Sequence, residues 1–187
     1  MNAVSGIRFG PHGRETADQI IQRKRREIEH NGWTLWSFQY RRAELLEEWS
    51  RLLSAAGKPV VFCSNSPSAR DPAETGAPVE AKHCCGYRLA GHMQWQPLPE
   101  GVIVPHPFKR GRKQASAFVV EGIVHPLEAF VLSKVQWLKD GQWLETRVPT
   151  RGEYLIRRGG SSIMRSVRAL LVLRPPFLAT VTCEERT

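Results

Sequence analysis

Residues 109–113 read Lys-Arg-Gly-Arg-Lys, and residues 157–162 read Arg-Arg-Gly-Gly-Ser-Ser. Both segments set cations beside glycine. Glycine lets a backbone approach a ligand closely, and clustered cations meet phosphate oxygens without a fixed rotamer. Lys109, Arg110, Arg112 and Lys113 form a loop between predicted strands. Arg157 and Arg158 belong to a C-terminal region that also carries Arg147, Arg151, Arg165 and Arg168, opposed chiefly by Glu153. A guanidinium grips two phosphate oxygens at once and stacks on bases, so these arginines and lysines are candidate phosphate contacts. The competing reading is a solvated basic tip. No Lys-Ser/Thr follows the Gly-Gly pair, so the second segment is not a P-loop.

A base needs an aromatic wall and polar groups that reach its edge. Trp33 and Trp36 lie three apart in WTLWSFQ. On a strand that spacing sends them to opposite faces, with one expected in the core and the other at a pocket wall. Ser64, Asn65 and Ser66 follow the apolar run PVVFC, and their side chains both donate and accept. The bland alternative is a turn before Pro67 that uses Asn and Ser for local backbone bonds. Trp95, Trp137 and Trp143 are expected to be sheet packing.

Other chemistries find less support. The four cysteines, Cys63, Cys84, Cys85 and Cys183, include no CxxC pair. Adjacent Cys84 and Cys85 point to opposite faces of an extended chain, which suits neither a mutual disulfide nor joint chelation. His83, Cys84, Cys85 and His92 match no common zinc spacing, so neither metal nor cofactor is expected. Cys63 lacks a local activating base, and Asp71, Glu80 and Glu121 form no recognisable nuclease set. No catalytic residue is assigned.

The chain of 187 residues carries 27 Lys and Arg against 18 Asp and Glu, a formal charge of +9. Such an excess attracts polyanions and releases their counterions, so the expected partner is nucleic acid, RNA or DNA. Two competing readings remain, a hydrolase acting on nucleotides or nucleic acid, and an adaptor whose basic surface meets an acidic protein partner. No apolar run approaches the roughly 18 residues of a membrane span, and the first 14 residues lack an apolar signal core. The expectation is a cytoplasmic protein with no membrane partner.

These residues need elements to position them. Residues 7–10 read as a short strand or arm. Thr16 and Gln19 have capping-box spacing; Ile20, Ile21, Lys24 and Ile28 then mark one helix face, and Asn31-Gly32 ends it. The other face carries the run Arg23 to Arg26. A second helix is expected over 43–56, where Leu45, Leu46, Trp49, Leu52 and Leu53 recur at helical spacing. Strands are expected at 33–39, 59–63, 87–95, 101–104, 117–124, 153–156 and 168–173, with Pro175-Pro176 ending the last. Asp140-Gly141 predicts a hairpin between 131–138 and 142–148. Together they predict a single α+β domain over 1–187, with a flexible arm at 1–14 and a long loop at 64–82. Its two N-terminal helices pack on a mixed, strongly curled sheet or pseudo-barrel.

The order of WTLWSFQ, the helix at 43–56, GKPVVFCSNSP and SAFVVEGIVHP resembles the PUA-like superfamily, in particular its EVE, YTH and ASCH-type domains. The likeness runs over about residues 33–126. It implies a small pseudo-barrel that reads RNA or modified DNA bases, with Trp33 or Trp36 as a cage wall and Ser64, Asn65 and Ser66 at the base edge. The helix before WTLWSFQ and the length of the loop after Ser66 depart from the pattern.

Overall fold

The computed structural model describes residues 2–9, 15–38, 53–55, 59–65, 83–105, 113–124, 136–137 and 167–184. The full helix among them is α1, Ala17–Asn31. Its ends form where the local chemistry demands. The Gln19 N–H donates to Thr16 Oγ1 at 3.2 Å, and the Thr16 N–H donates to Gln19 Oε1 at 2.8 Å, which satisfies two orphan donors reciprocally. At the other end Gly32 adopts φ 76 and its N–H donates to the Ile28 carbonyl at 2.7 Å. That left-handed position favours a residue without Cβ.

Eight strands form one sheet: β1 (Asn2–Phe9), β2 (Thr34–Phe38), β3 (Pro59–Asn65), β4 (Gly86–Leu89), β5 (Gln96–Pro97), β6 (Gln114–Val124), β7 (Gln136–Trp137) and β8 (Val167–Thr182). The order is β2-β6-β8-β3-β1-β7, with β4 on β8 and β5 on β4. Strand β8 is the spine. One side of it pairs with β6 along nearly its whole length. The other side pairs with β3 through Val167–Val172 and with β4 through Ala179–Thr182. These pairings are antiparallel, as are β2–β6 and β4–β5, while β1 runs parallel to β3 and β7.

This architecture corrects the expected fold class. Two N-terminal helices packed together on a strongly curled sheet or pseudo-barrel are not found among the described residues. Helix is confined there to α1 and the short segment 53–55, so of the expected helix at 43–56 only its last turn lies among the described residues. The sheet is strand-rich, mostly antiparallel and open, with β2 and β7 at its two ends unjoined among the described residues. The physical reason lies in β8. Its 16 residues run through the middle of the sheet, between β6 on one side and β3 and β4 on the other, and leave β2 as a terminal strand beside β6.

The end expected at Pro175-Pro176 is also corrected. Phe118 pairs with Leu178 and Val120 with Leu173, so residues 174–177 bulge against Val119 alone. Proline has no N–H for the ladder, and a bulge is where a strand tolerates it. The Pro175–Pro176 bond is cis and Phe177 has φ 66. Pairing resumes beyond the bulge because Leu178, Ala179 and Val181 are buried against their neighbours.

Both faces of the sheet are covered, which explains why Ala115–Val120 is buried at every position. Period-two alternation divides the strands between two cores. On one face Ile20 and Ile21 of α1 meet Trp36, Phe38, Phe118, Val120, Leu171 and Leu173. Phe38 and Phe118 stack with centroids 4.2 Å apart. On the other face Leu35, Ala117, Val119 and Val181 meet Cys84, Tyr87, Val102 and Val104. The last two belong to the segment after β5, expected as a strand at 101–104. It is instead a connection laid along the edge of β2, where Ser37 Oγ donates to the Pro105 carbonyl at 3.0 Å.

Candidate nucleic-acid interface

The basic run of α1 divides into an inner and an outer half. Arg23 and Lys24 are buried beside Glu27 and Thr34, at the start of edge strand β2. Glu27 Oε1 accepts from Arg23 Nη1 at 2.6 Å and from the Ile103 N–H at 3.2 Å. Glu27 Oε2 accepts from Lys24 Nζ at 2.8 Å and from the Thr34 hydroxyl. Lys24 Nζ also donates to Thr34 Oγ1 at 3.2 Å and to the Ile103 carbonyl at 2.7 Å. Arg23 grips Glu15 through Nε and Nη2, at 2.7 and 2.9 Å, and reaches the Ile103 carbonyl at 2.9 Å. The network welds α1, β2 and the 98–105 connection together.

Its electrostatics follow from burial. Desolvation drags the Lys24 ammonium down to about 8 against the pull of Glu27. Desolvation also opposes the Arg23 charge, but hydrogen bonds and charges from Glu15 and Glu27 outweigh it and raise the group. Arg23 and Lys24 are therefore structural cations. Of the same run, Arg26 is exposed and Arg25 half-buried. Beside them Arg26, His30, Asn31, Glu100 and Gly101 line a shallow cleft of about 220 Å³.

Arg23, Lys24 and Lys113 are ion-paired with the carboxylates Glu15, Glu27 and Glu184. These three cations and three carboxylates are neutral together, so they leave the net excess of nine unchanged. Lys113 is the described member of the 109–113 loop. It is exposed and ion-paired with Glu184. Lys109, Arg110, Arg112, Arg157, Arg158 and Ser66 lie outside the described residues.

Among the described residues the strands of the expected base pocket are not neighbours. Trp36 is buried in the α1-side core. Trp33 is half-buried against the other core, its ring centroid 5.5 Å from that of Tyr87 and tilted by 60°. Ser64 and Asn65 end β3, paired through Ser64 to Val167 and through Asn65 to Phe9. In the sheet β6 and β8 intervene between β2 and β3. Three inter-strand spacings separate those strands by about 14 Å.

A different aromatic group stands at the surface. Strands β4 and β5 form a hairpin whose connection includes Gly91 at φ 82. Tyr87 Oη donates to Gln96 Oε1 across it at 2.6 Å. The Arg88 guanidinium lies over the Trp95 ring, 5.1 Å from its centroid. His92, Met93 and Gln94 at the tip are exposed, Met93 at 86%. Sequence reasoning passed over Arg88 because it sits in no cluster. The signal available was the alternation of Tyr87, Arg88 and Trp95 around a glycine turn.

Burial pushes the Cys63 thiol well up, away from the thiolate a nucleophile needs. Glu121 is an exposed position of β6, and Asp71, Glu80 and His125 lie outside the described residues. Among the described residues no three His, Cys, Asp or Glu side chains converge as a metal site, which includes His83, Cys84, Cys85 and His92. Among the described residues, too, no helix is long and apolar enough to cross a membrane. Comparison with protein-family models, with curated proteins and with solved structures finds no match.

Proposed function

We propose that this protein binds nucleic acid through unpaired bases, using the β4–β5 hairpin as the platform and its excess of cations to hold the phosphates. The observation that carries the reading is Arg88 over Trp95 beside an exposed tip. Single strands are bound by aromatic faces interleaved with cations, because every base has a π-face and every linkage a charge. Arg88 serves both needs, since its guanidinium stacks as well as attracts. The charge excess of nine outside the internal ion pairs supplies the long-range term.

The test is fluorescence anisotropy with labelled single- and double-stranded DNA and RNA at several salt concentrations. Expected are a linear fall of log K with log salt and a preference for single strands. Trp95→Ala should weaken single-strand binding by roughly 5- to 100-fold, the scale of one stacked base. Absence of binding to all four at low salt would sink the proposal.

A further inference from the structure

The thiols of Cys84 and Cys183 have no part in that reading. Cys84 precedes β4 and Cys183 follows β8. They lie 99 positions apart in the chain, yet Cys183 Sγ is 3.4 Å from Cys84 Sγ. Their backbones are fixed on both sides. The Cys84 N–H donates to the Val104 carbonyl at 2.8 Å, and the Cys183 N–H donates to the Lys113 carbonyl at 3.1 Å. Between them the Cys85 N–H donates to the Thr182 carbonyl at 2.8 Å, extending the pairing of β4 with β8. Two cysteines with sulfurs in contact beside the ends of neighbouring strands have the reach of a disulfide, and small side-chain rotations bring the sulfurs together.

We propose that Cys84 and Cys183 form a reversible disulfide, made by exchange with a low-molecular-weight disulfide such as oxidised glutathione.

The two thiols divide the work. Cys84 is buried and Cys183 half-buried. Desolvation, with the contact from Cys183, raises the Cys84 thiol far above the ordinary range, so it is a poor first nucleophile. Cys183 as thiolate attacks one sulfur of the glutathione disulfide; an S–S bond forms to Cys183 and one glutathione thiolate leaves. Cys84 sulfur then attacks Cys183 Sγ, its proton passing to the second departing glutathione. Two protein thiols are oxidised and one disulfide is reduced to two glutathione thiols. The second step is intramolecular between fixed groups, which favours it over attack by a further glutathione. Cys85 is exposed, and its S–H points to the Thr182 carbonyl at 3.6 Å. Cys63 is fully buried in the other core.

The full-length protein is equilibrated with oxidised and reduced glutathione, and its native thiols are counted and mapped by mass spectrometry. Lys82 and Arg88 bound a tryptic peptide that holds both Cys84 and Cys85, so the linkage is assigned in Cys85→Ser. Expected are a fall from four thiols to two in the wild type and a cross-link from Cys84 to Cys183 in Cys85→Ser. Oxidation should raise the melting temperature by on the order of 10 °C, since the closed loop is long, and dithiothreitol should reverse it. Cys183→Ser should show no such rise. A stable glutathione adduct on Cys183, a cross-link to Cys183 that forms in Cys84→Ser and is absent from Cys85→Ser, or four thiols persisting at high oxidised glutathione would each overturn the assignment. None of these outcomes bears on nucleic-acid binding, which is measured separately.

Discussion

Replacing Glu27 by Gln is the sharpest probe of the network that docks α1. The side chain keeps its shape and loses its charge. Each carboxylate oxygen now serves two donors: Arg23 and the Ile103 N–H on Oε1, Lys24 and the Thr34 hydroxyl on Oε2. An amide has one accepting oxygen and one NH2 group. Whichever way the new amide turns, its NH2 faces a pair of donors. The buried cations would also be left with Glu15 as their one carboxylate, held by Arg23 rather than by Lys24. Lys24 is 2% exposed, and burial already lowers it to about 8 with Glu27 present.

Removing one partner of a buried charge network typically costs about 3–5 kcal/mol, because the other charge stays desolvated. At roughly 2–4 °C per kcal/mol for a chain of this size, the melting temperature should fall by roughly 6–20 °C. Urea unfolding followed by tryptophan fluorescence measures the loss directly. Lys24→Met in both backgrounds completes a double-mutant cycle, and the double variant should be more stable than the two single losses summed. A loss under about 1 kcal/mol for Glu27→Gln would refute the reasoning, since that is the scale of a solvent-screened surface pair.

The same lysine makes stability depend on pH. Its folded value of about 8 lies below the ordinary 10.5, so between these the unfolded chain binds more protons. The stability advantage of wild type over Lys24→Met should therefore widen as pH rises from about 8 to 10.5, by up to about 3 kcal/mol; a gap that narrows over that window rules the assignment out. Thr16→Ala removes the side chain that caps α1 and should cost about 1 kcal/mol in urea unfolding. Gly32→Ala meets nothing within 4 Å, so its cost of about 1–2 kcal/mol is that of placing a Cβ at φ 76. Arg88→Lys keeps the charge and loses the planar stack, so single-strand affinity should fall while the salt slope stays.

What the sequence makes legible is local. The ends of α1 follow from Thr16, Gln19 and Gly32, which act within three or four residues of themselves. The run 117–124 reads as a strand, and it is buried over Ala117–Val120, where both faces of the sheet are covered, whereas Glu121 is exposed and 122–124 are half-buried. Sheet order is not local. Nothing within 59–65 announces that β6 and β8 stand between it and β2, and so Trp33 and Ser64 read as neighbours at one pocket although their strands are well apart. Turns inside strands mislead for the same reason. Residues 87–95 read as one strand, but Gly91 turns the chain back and β5 pairs with β4. Residues 101–104 alternate like a strand, but their Ile103 backbone is taken by side chains of α1.

The basic run of α1 shows how far a charge pattern alone can carry a functional argument. Arg23 to Arg26 look alike in sequence, yet the helix period had already placed Lys24 in line with Ile20, Ile21 and Ile28. A lysine on an apolar stripe must find an anion or give up its proton, and Glu27 lies one turn away. Arg23 precedes the same Glu by four, and Glu15 completes its pairing. Half the run thus belongs to the core, and its positive charge is cancelled there. A polyanion meets only the cations that internal carboxylates leave uncancelled. In this chain the net excess is still nine, so the nucleic-acid binding proposed above draws on that excess and on the Arg88–Trp95 hairpin rather than on the inner half of the α1 run.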